Sequence, residues 1–522
     1  MSKSTEKIYL SKLPHKINLR YSYYNRHFDQ PFYVDKTLLI KKLYNDHNHK
    51  VIYAPPGFGK TLNMDMARRF FEIEVDKDGK PIELNVNEDK CCLKKVQTRS
   101  KNFKLFKGKK IFEDKQFVFN HFGKYPTIHV DFNELVGFNY EEILVQFRKI
   151  LNETFKQHNY LENSSLWDDT EFNKDIFMKY TVEFASLSEL DVKNGLSILA
   201  EFLHGYYGKA VYLFIDNLDA PVNSLVYQNT MMNEDVKKTI EFLQGAICQL
   251  LEGNKYVERS LSNSCQKFSR LILKDATNVA HYDFMNQQSI REFYGLEEAE
   301  VNYLLEKLKR LEDLIKIKEN YKGYKTTSSD GRDIEIYHTL FIMNYLKFRR
   351  LNVYLPAGNL DKIKELICHA IVRPKIAQIM SEEFVRIKYN NCECLENSGI
   401  ETLSNILCKG NVVECDDVDL FIQFVTQQGF FHAAEKDDLY LSLGICNRKV
   451  YSIIDEILGS IDSEIWDKRY DTLIDKESIE NCFPKRTPRV ESMIYLKILM
   501  NKSGGTSITY SFNNMESNTV SC

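Results

Sequence analysis

Apolar and polar positions first fall into a clear order at residues 50–71. Val51, Ile52 and Tyr53 form a short β-prone run, and Leu62, Met66, Ala67, Phe70 and Phe71 then recur at helical spacing. Upstream, residues 31–44 set Leu38, Leu39, Leu43 and Tyr44 on one helix face, with Asp35 or Thr37 as the expected N-cap. Residues 75–124 keep no sustained period and read as insertion or loop, although Phe103, Leu105 and Phe106 predict that the segment docks. Residues 125–132 alternate through Ile128, Val130 and Phe132 and predict a strand. Helical spacing returns over 140–160 and 187–207. The run at 210–216, AVYLFID, is apolar without interruption, as in a central parallel strand buried on both faces. A helix over 236–251 and a strand from Tyr256 to Leu261 follow.

Beyond Phe293 the pattern is mostly helical, over 297–318, 338–350, 359–380, 400–408, 416–428 and 449–461, with a short strand at 438–445. Strands alternating with helices predict an α/β unit, a parallel sheet flanked by helices, followed by a mostly helical domain. The expected boundaries are an N-terminal segment 1–20, an α/β domain 20–290, a helical domain 291–460 and a tail 461–522. The Ser-, Thr-, Asn- and Gly-rich end of the tail is expected to be disordered.

The turn between the first strand and its helix carries the chemistry. It reads Ala54-Pro55-Pro56-Gly57-Phe58-Gly59-Lys60-Thr61. Strand, glycine loop and helix in that order form a phosphate-binding loop. Gly57 and Gly59 bring backbone N–H groups close to an anion, and the new helix points its positive end there. The expected cofactor-binding residues are Pro56, Gly57, Phe58, Gly59, Lys60, Thr61 and Leu62. Lys60 reaches the β- and γ-phosphates and the Thr61 hydroxyl ligates Mg²⁺. Asp216, at the carboxyl end of its strand, stands where ligands of open α/β sheets bind, and is the second expected Mg²⁺ residue. Asn217 follows it where a water-polarising Glu is usual, and Asp219 is the nearest substitute. Asp216, Asn217 and Asp219 are therefore the candidate catalytic residues. Asn263 is the best candidate for a phosphate sensor.

Composition changes this picture little. The chain has 522 residues, 43% hydrophobic and 27% charged, with a net charge of −3. No global field drives it onto nucleic acid or a membrane. No run of 18 apolar residues occurs, so an intracellular chain that spans no membrane is expected. The stretch Lys90 to Lys110 is rich in Lys and Arg and reads as a solvated loop or a phosphate-contacting face. Cys392, Cys394, Cys408 and Cys415 are the only cysteine cluster, and plain thiols fit their spacing better than zinc.

Several stretches together resemble the AAA-ATPase-like family. They are YVDKTLLIKKL from Tyr33, APPGFGKTLNMDMARRFFE from Ala54, GKYPTIHVDF from Gly123 and AVYLFIDNLDAPVN from Ala210. FYGLEEAEV from Phe293, ENYKGYKT from Glu319, IYHTLFIMNYL from Ile336 and the run from Gln427 to Val450 continue them. The resemblance runs from about residue 20 to about 460. It implies a P-loop ATPase core followed by a helical, partly winged region, and in many bacterial members a restriction-type nuclease domain. No Glu-x-Lys strand follows residue 460, so the nuclease is expected to be absent. The family's Asp-Glu at the second strand is Asp216-Asn217 here. Binding residues are kept while hydrolysis residues are eroded. The implied function is ATP·Mg²⁺ binding with weak or absent hydrolysis, used as a switch or scaffold, with a protein partner or homo-oligomer possible. An active ATPase, and a nucleic-acid-associated protein acting through the basic stretch, are the alternatives. In the weak-hydrolysis reading Asn217→Glu is expected to raise turnover at least tenfold; in the active ATPase Asp219 or a partner residue supplies the missing polarity.

Overall fold

The computed structural model describes residues 33–459, except 77–78, 83–98, 229–232, 285–289, 291, 328–332, 353–359, 389–396, 411–414 and 437–438. The N-terminal segment, the tail, Lys90, Cys392 and Cys394 lie outside the described residues. The first unit is built on β1 (His49–Tyr53), β2 (Thr127–Asp131), β3 (Val211–Asp216), β4 (Val257–Ser264) and β5 (Val279–Asp283). They form one parallel sheet in the order β2-β3-β4-β1-β5. Every residue of β1 and of β3 is buried, as uninterrupted apolar runs require when helices cover both faces.

The flanking helices are α1 (Leu38–Asn45), α2 (Lys60–Phe71), α3 (Lys101–Phe106), α4 (Lys115–His121), α5 (Tyr140–Lys156), α6 (Lys174–Thr181), α7 (Glu189–Tyr207), α8 (Ala220–Gln228) and α9 (Asn233–Leu251). At α1 Thr37 is the N-cap, without a side-chain cap bond, and its N–H and hydroxyl donate to the Asp35 carboxylate at 3.0 and 2.6 Å. The segment read as loop holds α3 and α4. Their Phe103, Leu105 and Phe106 are buried while Lys101, Lys104, Lys107 and Lys110 are exposed. Each helix is six or seven residues long, too short for a period to declare itself.

After β5 the chain continues through β6 (Leu296–Glu297), α10 (Glu298–Lys307), α11 (Leu314–Tyr321), β7 (Tyr324–Thr327), β8 (Asp333–Tyr337), α12 (Thr339–Phe348), α13 (Leu360–Ile367) and α14 (Val372–Ser381). It ends with β9 (Val385–Lys388), α15 (Asn397–Lys409), α16 (Cys415–Gln427), β10 (Phe431–Lys436), β11 (Tyr440–Ile445) and α17 (Arg448–Gly459). Two small antiparallel sheets, β6-β8-β7 and β10-β11-β9, break up the helices. The single helices expected over 297–318 and 359–380 are each divided in two. Lys309, with φ 56°, turns the chain between α10 and α11.

This second half closes onto the carboxyl end of the parallel sheet. Leu340 N–H donates to the Gly57 carbonyl at 3.1 Å, and Gly295 N–H to the Phe58 carbonyl at 3.2 Å. The Gln427 side chain of α16 accepts from Lys267 N–H at 3.2 Å, and Gln266 reaches the Phe424 carbonyl at 3.3 Å.

Candidate functional site

Parallel strands put all their carboxyl ends on one edge. Tyr53, Asp131, Asp216, Ser264 and Asp283 therefore end side by side, with Asp131 in register with Asp216 and Tyr53 in register with both Ser264 and Asp283. The phosphate loop leaves β1 at this edge. Gly57 and Gly59 take φ of 82° and 91°, left-handed conformations that a side chain disfavours. A Cβ at Gly57 would stand 2.3 Å from the His338 ring, whereas one at Gly59 would point into open space.

His338 Nε2 donates to the Pro56 carbonyl at 3.0 Å, and burial draws its pKa down to about 3. Phe58 is buried among Phe284, Tyr324 and His338, with ring centroids 4.7, 5.1 and 4.5 Å away. Phe58 thus anchors the loop with its side chain and has only its backbone to offer a ligand. Pro56, Thr61 and Leu62 are half-exposed.

Lys60 is buried with its ammonium folded back on the loop, 2.5 Å from the Ala54 carbonyl, 3.1 Å from the Pro55 carbonyl and 3.2 Å from Cys265 Sγ. Asp216 is fully buried. Its Oδ1 accepts from the Asn263 amide at 3.0 Å and from Asn217 N–H at 3.1 Å. Oδ2 is buried without a hydrogen-bond partner. Burial, then the neighbouring Asp131 charge, raises the Asp216 pKa to about 6, while the Thr61 hydroxyl, Asn263 and Lys60 pull it back. A buried carboxylate oxygen without a partner, beside a hydroxyl at a helix start, is a donor set that suits a hard cation such as Mg²⁺. Asn263 Oδ1 is also without a partner.

The other two candidates differ. Asp219 is 3% exposed, and its two oxygens accept the Cys265 and Gln266 N–H groups at 3.1 and 2.7 Å. It ties the turn after β3 to the turn after β4. Asn217 sits at φ 55° and donates its amide to Asp131 Oδ1 at 2.8 Å. Asp131 is the acid that reading the sequence missed. Its signal was present: it ends an alternating strand, as Asp216 ends an apolar one, but only the register places the two together.

Among the described residues no three His, Cys, Asp or Glu side chains gather as a metal centre, and Cys408 donates to the Val226 carbonyl. Among them, too, no helix is long and apolar enough to cross a membrane.

The AAA-ATPase-like family model, described as predicted AAA-ATPase, matches residues 22–85 and 79–273. Residues 22–273, just under half of the chain, are similar to the AAA-ATPase-like family. This AAA-ATPase-like region holds the phosphate loop and the acids Asp131, Asp216 and Asp219, and stops short of the residue 460 to which the sequence motifs run. Among solved structures, a Walker-type ATPase of Pyrococcus abyssi is 11% identical, with a TM-score of 0.38 over 85% of this chain and 99% of that one. Cdc6p of Pyrobaculum aerophilum is 12% identical, with a TM-score of 0.25 over 83% and 94%. No curated protein matches the chain.

Proposed function

We propose that this AAA-ATPase-like protein binds ATP with Mg²⁺ at residues 56–62 and turns it over slowly, the bound state serving as a conformational switch. The observation that carries the reading is the partnerless, buried Oδ2 of Asp216 beside the glycine loop. Mg²⁺ would be held by Thr61 and Asp216 and would neutralise phosphate charge. Backbone N–H groups of residues 57–62 face the phosphates, and Lys60 exchanges two loop carbonyls for phosphate oxygens. Asp216 holds the metal side, Asn263 steadies Asp216, and Asp219 fixes the loop edges rather than meeting water. The α/β domain covers 20–290 and the second domain 291–460.

The switch reading rests on the hydrogen bonds that join the loop's Gly57 and Phe58 carbonyls to the second half. A nucleic-acid role gains less support. The helix α16, which leads into β10, opens on acids at Asp416 and Asp417 and buries Phe421, Phe424 and Val425 against the rest of the chain.

ATP·Mg²⁺ at a hundred times its dissociation constant adds about 2.7 kcal/mol. In a domain of this size that raises the melting temperature by about 5–10 °C. Lys60→Ala removes the shift. A folded sample with no shift at millimolar ATP would overturn the reading.

A further inference from the structure

Three carboxylates stand near the carboxyl ends of β2 and β3, and two are committed. Asp216 is wholly enclosed. Asp219 spends both oxygens on backbone N–H groups. Asp131 is only half-buried, and it is held in place from one side alone. Its Oδ1 accepts the Asn217 amide at 2.8 Å and Asn133 N–H at 2.9 Å. Two donors on one oxygen hold the carboxylate, and neither of these bonds uses Oδ2.

The left-handed turn at Asn217 is what allows this. A non-glycine residue at φ 55° is uncommon, and Asn is among the side chains that tolerate it best. With that backbone, Asn217 leans across to the neighbouring strand, in register with Asp131's own strand end.

We propose that Asp131 is the carboxylate that orients the attacking water in ATP hydrolysis, and that Asn217 is its positioning residue. The inference rests on the ATP-binding reading above. The missing Glu is then not lost but moved one strand across. A carboxylate accepts hydrogen bonds without donating, which an Asn amide cannot match. Water held by Asp131 Oδ2 attacks the γ-phosphorus. The P–O bond to the β-phosphate breaks, the bridging oxygen leaves with ADP, and the water's protons go to the released phosphate and to solvent.

The test uses the full chain and four proteins: wild type, Asp131→Asn, Asn217→Ala and Lys60→Ala. ATP affinity, turnover, and trapping of ADP with aluminium fluoride, which needs an aligned water, are read for each. Asp131→Asn is expected to keep its ATP dissociation constant within about threefold, to lose about 100-fold in kcat and to lose trapping. Asn217→Ala, which leaves the carboxylate but frees it, is expected to lower kcat by about tenfold with affinity kept. A merely structural role would move affinity and melting temperature together instead. Turnover unchanged in Asp131→Asn with ATP still bound overturns the proposal and leaves the binding site standing. Should Asp131→Asn not fold, unchanged kcat in Asn217→Ala overturns it. Wild type that binds ATP without measurable hydrolysis also overturns it. Wild type that binds no more ATP than Lys60→Ala removes the site reading and the inference together.

Discussion

Asp219 shows how close a structural and a chemical carboxylate can look. It lies three residues past Asp216, is buried, and has its pKa raised by that burial against two backbone hydrogen bonds. Asp219→Ala strands the Cys265 and Gln266 N–H groups, each costing about 1–3 kcal/mol when buried. We expect a loss of about 3 kcal/mol in unfolding free energy, read by denaturant titration, with any change in turnover following from the displaced loop. A stable Asp219→Ala protein with abolished turnover would instead make it chemical. Asn217→Glu is the sharper case. Sequence alone makes it a gain of function. In the structure it removes the bond to Asp131 and sets a second negative charge beside it, so turnover is expected to fall, not rise; a tenfold rise measured in steady state would refute the arrangement. Lys60, Thr61 and Asp216 were legible because a motif names them. Asp131 and His338 were not, because their meaning lies in a strand register and in a contact spanning 282 positions.

Among elements, β4 was the least legible. Its Ser260, Ser262, Asn263 and Ser264 are polar yet buried, so the strand seemed to stop at Leu261, whereas it continues to Ser264. Asn263 and Ser264 sit at the site end of a central strand and pair with Asp216 and Ser269, while Ser260 pairs with His49 at the start of β1. The opposite holds for β3, whose apolar run needs no context. The small strands β6 to β8 were unreadable because two to five residues carry too little pattern. The phosphate loop is an element with a core of its own. Phe58→Ala empties a site ringed by Phe284, Tyr324 and His338, and aromatic truncations of this kind cost about 3–5 kcal/mol. The prediction is a lowered melting temperature together with weaker ATP affinity. Loss of stability with affinity intact would show that the loop holds its shape without the anchor.

For the whole molecule, buried histidines set the response to acid. His49 and His338 are buried, and burial draws their pKa values down to about 4 and about 3. In the unfolded chain each titrates near ~6.5. Their contribution is therefore complete above that pH and is lost as pH falls, because the unfolded chain takes up protons that the folded one refuses. Two such groups cost ~2.7 kcal/mol per pH unit below 6.5. Asp216, raised to about 6 by burial and by Asp131, acts in the opposite sense below that pH and returns ~1.4 kcal/mol per unit. His129 and His158, also drawn down to about 4 by burial, add to the loss, so acid between pH 6 and 4 destabilises the fold on balance. Urea midpoints at pH 7 and pH 5, in Mg²⁺-free buffer, should differ accordingly, and equal midpoints would contradict this balance.

The Pro56, Gly57 and Phe58 carbonyls are each held by a residue more than two hundred positions away, His338, Leu340 and Gly295. A loop gripped in this way cannot change shape without disturbing what grips it. Thermodynamic reciprocity then sets a symmetry. Whatever factor a nucleotide applies to the hold of the second half on the loop, an agent that loosens that half applies to nucleotide affinity. If nucleotide tightens that hold, a protein that pulled residues 293–459 aside would weaken nucleotide binding without touching the phosphate site. One that pressed them inward would, by the same coupling, strengthen it.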